Sequence, residues 1–207
     1  MPDTPFFLGA VIVENCMGDR PPLYLLRHGQ TTWNAAGRVQ GQLESELSEL
    51  GRDHARRQGE ILARLDLPEG LGVYCSPQRR TRQTAELALG ALGLEPLFDD
   101  RLKEIHLGAW EGRYYADLTA QDRAFFEGRS TLMLCLDGPG ETLADMQVRV
   151  GAFLDDLDGP ALVVSHGVAL TVLRGLVLGL DVAGMEGLGA EQGVIYELRN
   201  GAQIVHR

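Results

Sequence analysis

Short apolar runs alternate along this chain with longer stretches in which apolar residues recur every three or four positions. The short runs are Leu23–Leu26 (LYLL), Gly72–Cys75 (GVYC), Ala161–Ser165 (ALVVS), Gly193–Leu198 (GVIYEL) and Ala202–His206 (AQIVH). Each reads as a strand. An earlier run, Phe6–Val13, also reads as a buried or edge strand: only Asp3 precedes it as a charge, and a signal peptide needs a basic leading segment and a small-residue cleavage site. Asn200-Gly201 between the last two runs suits the positive φ angles of a two-residue turn, which predicts a C-terminal hairpin.

The longer stretches read as helices. Ser48 is placed to cap one running to about Leu65, with Leu50, Ile61, Leu62 and Leu65 on one side. A second runs from about Pro77 to Leu92. A third starts near Thr142 and carries Met146, Val150, Phe153, Leu154 and Leu157. A fourth follows His166 through Leu178. Alternating strands and helices predict an α/β fold: a three-layer sandwich, its mostly parallel central sheet flanked by helices, with the hairpin at the sheet edge. Gly112 to Gly140 is less periodic and rich in Tyr and Phe, and reads as a lid-like insertion (112–140).

Composition narrows the picture. The 207 residues fit one domain, 1–207, with residues 1–22 as an N-terminal extension. Nineteen Lys and Arg against 29 Asp and Glu leave a net charge of −10, which argues against nucleic acid or an anionic membrane as partner. No segment reaches the roughly 18 consecutive apolar residues of a membrane span. Three separated cysteines, Cys16, Cys75 and Cys135, with no CxxC pair, argue against a disulfide framework and a zinc site. A cytoplasmic protein is expected.

Three of the apolar runs end abruptly in polar clusters: Arg27-His28-Gly29-Gln30-Thr31-Thr32-Trp33-Asn34 after the first, Ser76-Pro77-Gln78-Arg79-Arg80 after the second, His166-Gly167 after the third. Ligands of parallel α/β sheets bind at the carboxyl ends of the strands. If these strands are parallel, two histidines and several arginines converge there. Arginine is the forked donor for phosphate, and helix N-termini add oriented N–H groups, so the pocket suits an anion such as a phosphoryl group.

Arg27-His28-Gly29-x-Thr31 resembles the signature of the histidine phosphatase superfamily, in its phosphoglycerate mutase-like branch. Further matches follow in order: Gln40-Gly41, Leu47-Ser48-x-x-Gly51, Ser76-Pro77-x-x-Arg80-x-x-x-Thr84-Ala85, Leu102-x-Glu104-Ile105-x-x-Gly108-x-Trp110-Glu111-Gly112, Gly140-Glu141-Thr142 and Val164-Ser165-His166-Gly167. Gln30 stands where the pattern often has glutamate. The resemblance implies His28 as a nucleophile forming a phosphohistidine, with Arg27, Arg80 and His166 holding the phosphoryl oxygens. It implies Asn34, Gln40 and Gly167 as further substrate-binding residues and Glu104 as general acid, with Glu111 structural. It implies no metal and no cofactor.

The expected activity is hydrolysis of small-molecule phosphomonoesters. The alternatives are a phosphoglycerate mutase using the same phosphohistidine and an inactive phospho-ligand-binding module. A mutase needs added cations over its substrate, whereas the 112–140 segment has only Arg113, Arg123 and Arg129 among many apolar residues. The expected partner is a small phosphate ester, with a homodimer as the assembly. Surface or packing roles are expected for His54, His106 and His206. Ser165 lacks the glycine-flanked elbow of serine hydrolases, and the Gly184–Gly189 cluster follows no convincing strand.

Overall fold

The computed structural model describes residues 20–207, so the Phe6–Val13 strand and Cys16 lie outside the described residues. Strands β1 (Leu23–Arg27), β2 (Gly72–Cys75), β3 (Leu97–Phe98), β4 (Ala161–Ser165), β5 (Ile195–Arg199) and β6 (Ala202–His206) form one sheet in the order β3-β2-β4-β1-β5-β6. β1, β2, β3 and β4 are mutually parallel, β5 runs antiparallel to β1, and β6 returns along β5. The predicted hairpin is present, with Asn200 at φ 52° and Gly201 at φ 71°.

Side chains alternate between two buried faces, as strands covered on both sides require. Leu23 and Leu25 of β1 with Ala161 and Val163 of β4 face one core; Tyr24, Leu26, Leu162 and Val164 face the other. The second face is covered by α2 (Glu49–Leu62) and α3 (Arg79–Leu89), the first by α7 (Leu143–Asp155) and α8 (Gly167–Leu178). This makes the three layers. Ser48 caps α2 by accepting from the Gly51 N–H, and Thr142 with Asp145 forms a capping box on α7.

The structure corrects some boundaries. The α2 helix ends at Leu62, and Leu50 sits on its outward side, 51% exposed. The α3 helix begins at Arg79 rather than Pro77, and β5 starts at Ile195. The 112–140 segment holds three short helices, α4 (Tyr115–Gln121), α5 (Arg123–Phe126) and α6 (Thr131–Leu136). Their buried residues Leu118, Phe126 and Leu134 form a cluster of their own, apart from both sheet cores. Short helices α1 (Thr32–Ala35) and α9 (Val182–Glu186) complete the set.

Register positions the site. Arg27 lies opposite Ser165 and Cys75 opposite Val164, so the residues just beyond β1, β2 and β4 meet at one edge. The His28 N–H donates to the Ser165 carbonyl (3.0 Å) and the Ser76 N–H to Val164 (2.9 Å). The loop after β1 also needs the Gly29–Gly51 contact. A Cβ on Gly29 would lie 2.0 Å from the Gly51 oxygen, and one on Gly51 1.9 Å from the Gln30 oxygen. Only backbone fits between them.

Candidate active site

A cavity of about 430 Å³ opens at the carboxyl ends of the parallel strands. Its polar end is lined by Arg27, His28, Asn34, Gln40, Arg80, Glu104 and Gly167. His166 is fully buried behind this wall, its ring edge-on to His28 at 5.2 Å between centroids.

His28 is 2% exposed, and its Nδ1–H donates to the Gly29 carbonyl (2.7 Å). That bond fixes the tautomer and leaves Nε2 with its lone pair. Burial first, then the guanidiniums of Arg80 and Arg27, hold the imidazole well below the usual histidine range. His28 is therefore neutral at neutral pH, the form in which nitrogen is nucleophilic.

Arg80 is fully buried and spends its fork in three directions: Nε to His166 Nδ1 (3.1 Å), Nη1 to the Leu43 carbonyl (2.9 Å) and Nη2 to the Gly41 carbonyl (2.8 Å). Since Arg80 can only donate, His166 carries its lone pair on Nδ1 and its proton on Nε2, which faces Ser76 Oγ at 2.8 Å. Both ring nitrogens of His166 are thus engaged by the protein. Its imidazole is also held well below the usual range, chiefly by burial and then by Arg80.

Arg27 donates through Nη1 to the Ala190 carbonyl, while its buried Nε has no hydrogen-bond partner among the described residues. Among the described residues neither Arg27 nor Arg80 has a carboxylate within ion-pair distance. Burial lowers the pKa of both from the usual arginine value, with the Glu104 charge opposing. Two desolvated cations with no direct ion pair among the described residues, one with an orphaned N–H, are suited to an anion.

The amides are oriented as donors. Asn34 Oδ1 accepts from the Thr31 N–H and Gln40 Oε1 from the Thr31 hydroxyl, which leaves both NH₂ groups uncommitted at the cavity. The Glu104 carboxyl lies at the N-terminus of α8: Oε1 accepts from Ile105 (3.0 Å) and Ala169 (3.0 Å), Oε2 from Val168 (3.2 Å). Its main chain is fixed by Gln78, which accepts from the Glu104 N–H, and by Gln42, which donates to its carbonyl. The preceding turn is tied by Arg149, paired with Glu141 and donating to the Arg101 and Lys103 carbonyls. Glu111 accepts from the Gln42 and Leu107 N–H groups and braces the same loop.

The residues that reading by motif missed are these braces, chiefly Gln42 and Gln78. Their only sequence signal is proximity to the motif residues. Ser165 Oγ donates to the Leu102 carbonyl, a packing role. His206 pairs with Glu197 (2.7 Å), and His106 is exposed. The opposite cavity wall is apolar, with Leu107, Trp110, Phe126, Leu132 and Leu134. Burial pushes the Cys135 thiol there up to about 12, so it remains a thiol.

The neutral histidines make stability depend on pH in a defined sense. Below about 6.5 the unfolded chain takes up protons on His28 and His166 that the folded chain refuses, so stability falls as pH drops. Each contributes up to about 1.4 kcal/mol per pH unit. Urea midpoints measured between pH 6.5 and 5 are expected to fall less steeply for His28→Gln than for the unmodified chain. Equal slopes would contradict a neutral buried His28.

Together, a doubly wound sheet, an oriented neutral imidazole and two buried guanidiniums beside it define a phosphoryl-transfer enzyme of the α/β class. Comparison with known proteins agrees. The model of the histidine phosphatase superfamily (branch 1) matches residues 23–203, and the chain belongs to that family. It is 36% identical over 170 residues to "Probable phosphoglycerate mutase GpmB" of Erwinia tasmaniensis, covering 76% of this chain and 75% of that one. Among solved structures, mycobacterial glucosyl-3-phosphoglycerate phosphatase, in complex with VO3, aligns with a TM-score of 0.73 and 30% identity over 89% of this chain and 96% of that one. Bacillus stearothermophilus YhfR aligns with a TM-score of 0.73 and 31% identity over 89% and 94%. Among the described residues no helix is long and apolar enough to cross a membrane.

Proposed function

We propose that the chain hydrolyses phosphomonoesters of small molecules through a phosphohistidine on His28. The observation that carries this is the oriented, neutral His28 imidazole at the mouth of a seat made by Arg27 and Arg80. His28 Nε2 attacks phosphorus in line with the ester oxygen. The P–O bond breaks, and the leaving oxygen takes its proton from Glu104. Water then attacks the phosphohistidine, gives its proton back to Glu104, and inorganic phosphate leaves. Arg27, Arg80 and the Asn34 and Gln40 amides hold the phosphoryl oxygens, where negative charge sits in the transition state. The Gly167 backbone borders the same seat. Glu104 Oε2, with its single backbone contact, is the oxygen assigned to the leaving group. His166 supports Arg80 and reaches a phosphoryl oxygen only by releasing Ser76.

Hydrolysis is preferred to mutase chemistry because the cavity beyond the phosphoryl seat is largely apolar, with Arg38 the one additional cation among the described residues that line it. Arg113 bonds Gln121, Arg123 pairs with Glu127 and Arg129 with Asp137, and none of the three lines the cavity. The mutase reading is kept because curated relatives carry that name. The acidic surface and the unpaired thiols of Cys75 and Cys135 fit a cytoplasmic location. A homodimer is also proposed, for sedimentation to decide.

The test is phosphate release from a panel of monoesters in chelator, beside an assay for exchange between 2- and 3-phosphoglycerate. Release without exchange supports hydrolysis; exchange outrunning release overturns it. Glu104→Gln is expected to slow alkyl phosphates roughly a hundredfold or more, and phosphates of acidic phenols far less. Equal losses would remove Glu104 from the acid role.

A further inference from the structure

Arg174 lies on α8 one turn beyond Thr171, whose side chain lines the active-site cavity, and is itself fully buried. All five of its N–H groups are engaged by neutral acceptors. Nε donates to the Leu170 carbonyl (3.1 Å), Nη1 to the Leu188 carbonyl (3.2 Å) and Gln203 Oε1 (3.0 Å), and Nη2 to Thr171 Oγ1 (3.1 Å) and the Gly189 carbonyl (2.5 Å). The guanidinium lies over the Tyr196 ring, 4.2 Å from its centroid. Burial brings its pKa down to about 10, and the Arg27 charge pushes the same way, so the group is a cation at neutral pH. A buried cation met only by neutral acceptors is a cost to the fold, and an apolar side chain of similar volume fills such a place without it. Packing alone does not account for an arginine here.

What Arg174 holds leads to the phosphoryl seat. Three successive carbonyls turn inward onto two arginines: those of Leu188 and Gly189 accept from Arg174, and that of Ala190 accepts from Arg27 Nη1. Gly189, at φ 65°, permits the turn. The following N–H, of Glu191, donates to the Tyr196 hydroxyl (2.6 Å), so the ring beneath the Arg174 guanidinium anchors the same stretch a second time. Gln192 Nε2 then donates to the His28 carbonyl (3.0 Å). Residues 188–192 are thus a strap, gripped by Arg174 and Tyr196 at one end and joined to Arg27 and His28 at the other. Arg27 has little room to follow a displaced strap, since a Cβ on Gly167 would lie 3.2 Å from its Cζ. Thr171 adds a second link: its hydroxyl accepts from Arg174 and donates to the Gly167 carbonyl (2.8 Å).

We propose that Arg174 is a positioning residue for the phosphoryl seat: by fixing the Leu188 and Gly189 carbonyls it places the Ala190 carbonyl, and through it aims the Arg27 guanidinium. The proposal rests on the reading of Arg27 as part of that seat. With Nη1 tied to Ala190, the fork of Arg27 is held in one orientation and its other N–H groups, the unpartnered Nε included, are left for the anion. A displaced strap lets the fork turn, which spoils bidentate geometry while leaving the charge in place.

The probe is inorganic phosphate. Its affinity is measured by calorimetry for the unmodified chain, Arg174→Lys, Arg174→Met, Arg27→Met and the double variant Arg27→Met with Arg174→Met, with urea midpoints recorded alongside. Lysine keeps the charge and methionine the length, but neither reproduces a fork that spans Leu188, Gly189 and Gln203. Both single variants at Arg174 are expected to weaken phosphate about tenfold, and the methionine loss to shrink below about twofold once Arg27 is already methionine. A merely structural Arg174 would lower the urea midpoint and leave affinity unchanged, or weaken binding equally in both backgrounds. Either result overturns the proposal. So does a lysine variant that binds like the unmodified chain beside a methionine variant that does not, because charge alone would then be at work.

Should the Arg174 variants not fold, Tyr196→Phe decides, since it keeps the ring and removes only the Glu191 anchor. A loss of about threefold is expected, again confined to chains that retain Arg27, and an unchanged affinity overturns the proposal. If phosphate binds with this dependence on Arg27 while no monoester is hydrolysed, the phosphatase reading falls and the positioning role stands. If the unmodified chain binds no phosphate, there is no seat to position and the proposal falls with it.

Discussion

His28→Ala is expected to abolish turnover, lowering kcat by about ten-thousandfold or more, the scale seen when a covalent nucleophile is removed. Among the described residues of the cavity wall its side chain is the one nitrogen nucleophile whose lone pair is left uncommitted, since Nδ1 is tied to the Gly29 carbonyl and both nitrogens of His166 are held by Arg80 and Ser76. Nothing nearby can substitute: the Cys135 thiol is pushed up to about 12 and stays protonated. Affinity for a phosphonate should survive, because the cations proposed to seat the anion are Arg27 and Arg80 and the lost imidazole is neutral. The check is kcat on p-nitrophenyl phosphate, phosphonate binding, and alkali-stable, acid-labile labelling after rapid quench into base with labelled substrate. Turnover within about tenfold of the unmodified chain, or a phosphoenzyme persisting in the variant, would move the nucleophile elsewhere.

That prediction could be framed from sequence because strand ends are loud. Leu23–Leu26, Gly72–Cys75 and Ala161–Ser165 are apolar on both faces, as strands sandwiched between helices must be, and each stops at a polar cluster. Their parallel register then carries His28, Arg80 and His166 together without any further information. β3 was silent for the opposite reason: Leu97 and Phe98 sit exposed on an edge, two residues with no period to read. The helices of the 112–140 segment, four to seven residues long, are too short to repeat a helical pattern. Leu50 shows the limit of counting: it lies near the apolar stripe of α2 in sequence, yet the helix turns it outward. The braces Gln42, Gln78 and Ser76 act through contacts between distant segments, which spacing along the chain does not encode. The two-sided bonding of His166 belongs to the same category.

Arg80→Lys is expected to cost about a hundred- to a thousandfold in kcat while keeping the positive charge, which separates fork geometry from net electrostatics. The guanidinium holds the His166 ring, the Leu43 carbonyl and the Gly41 carbonyl with three separate nitrogens, and its remaining N–H groups are available to the anion seat. An ammonium is one point on a flexible stem. It can satisfy one or two of these partners, and it reaches the phosphoryl seat only by abandoning the others. Each abandoned buried acceptor costs about 1–3 kcal/mol, so the urea midpoint should fall as well. The consequence that a merely local packing defect would not produce concerns His166. Freed of the Arg80 N–H at Nδ1, its imidazole loses the bond that places the proton on Nε2, and nitrogen-resolved NMR should show the tautomers mixing. Ser76→Ala removes only the partner at Nε2 and should leave the Arg80-imposed tautomer in place, with a smaller loss of rate. If Arg80→Lys retains kcat within about tenfold and His166 keeps one tautomer, Arg80 serves here as charge alone and the fork is dispensable.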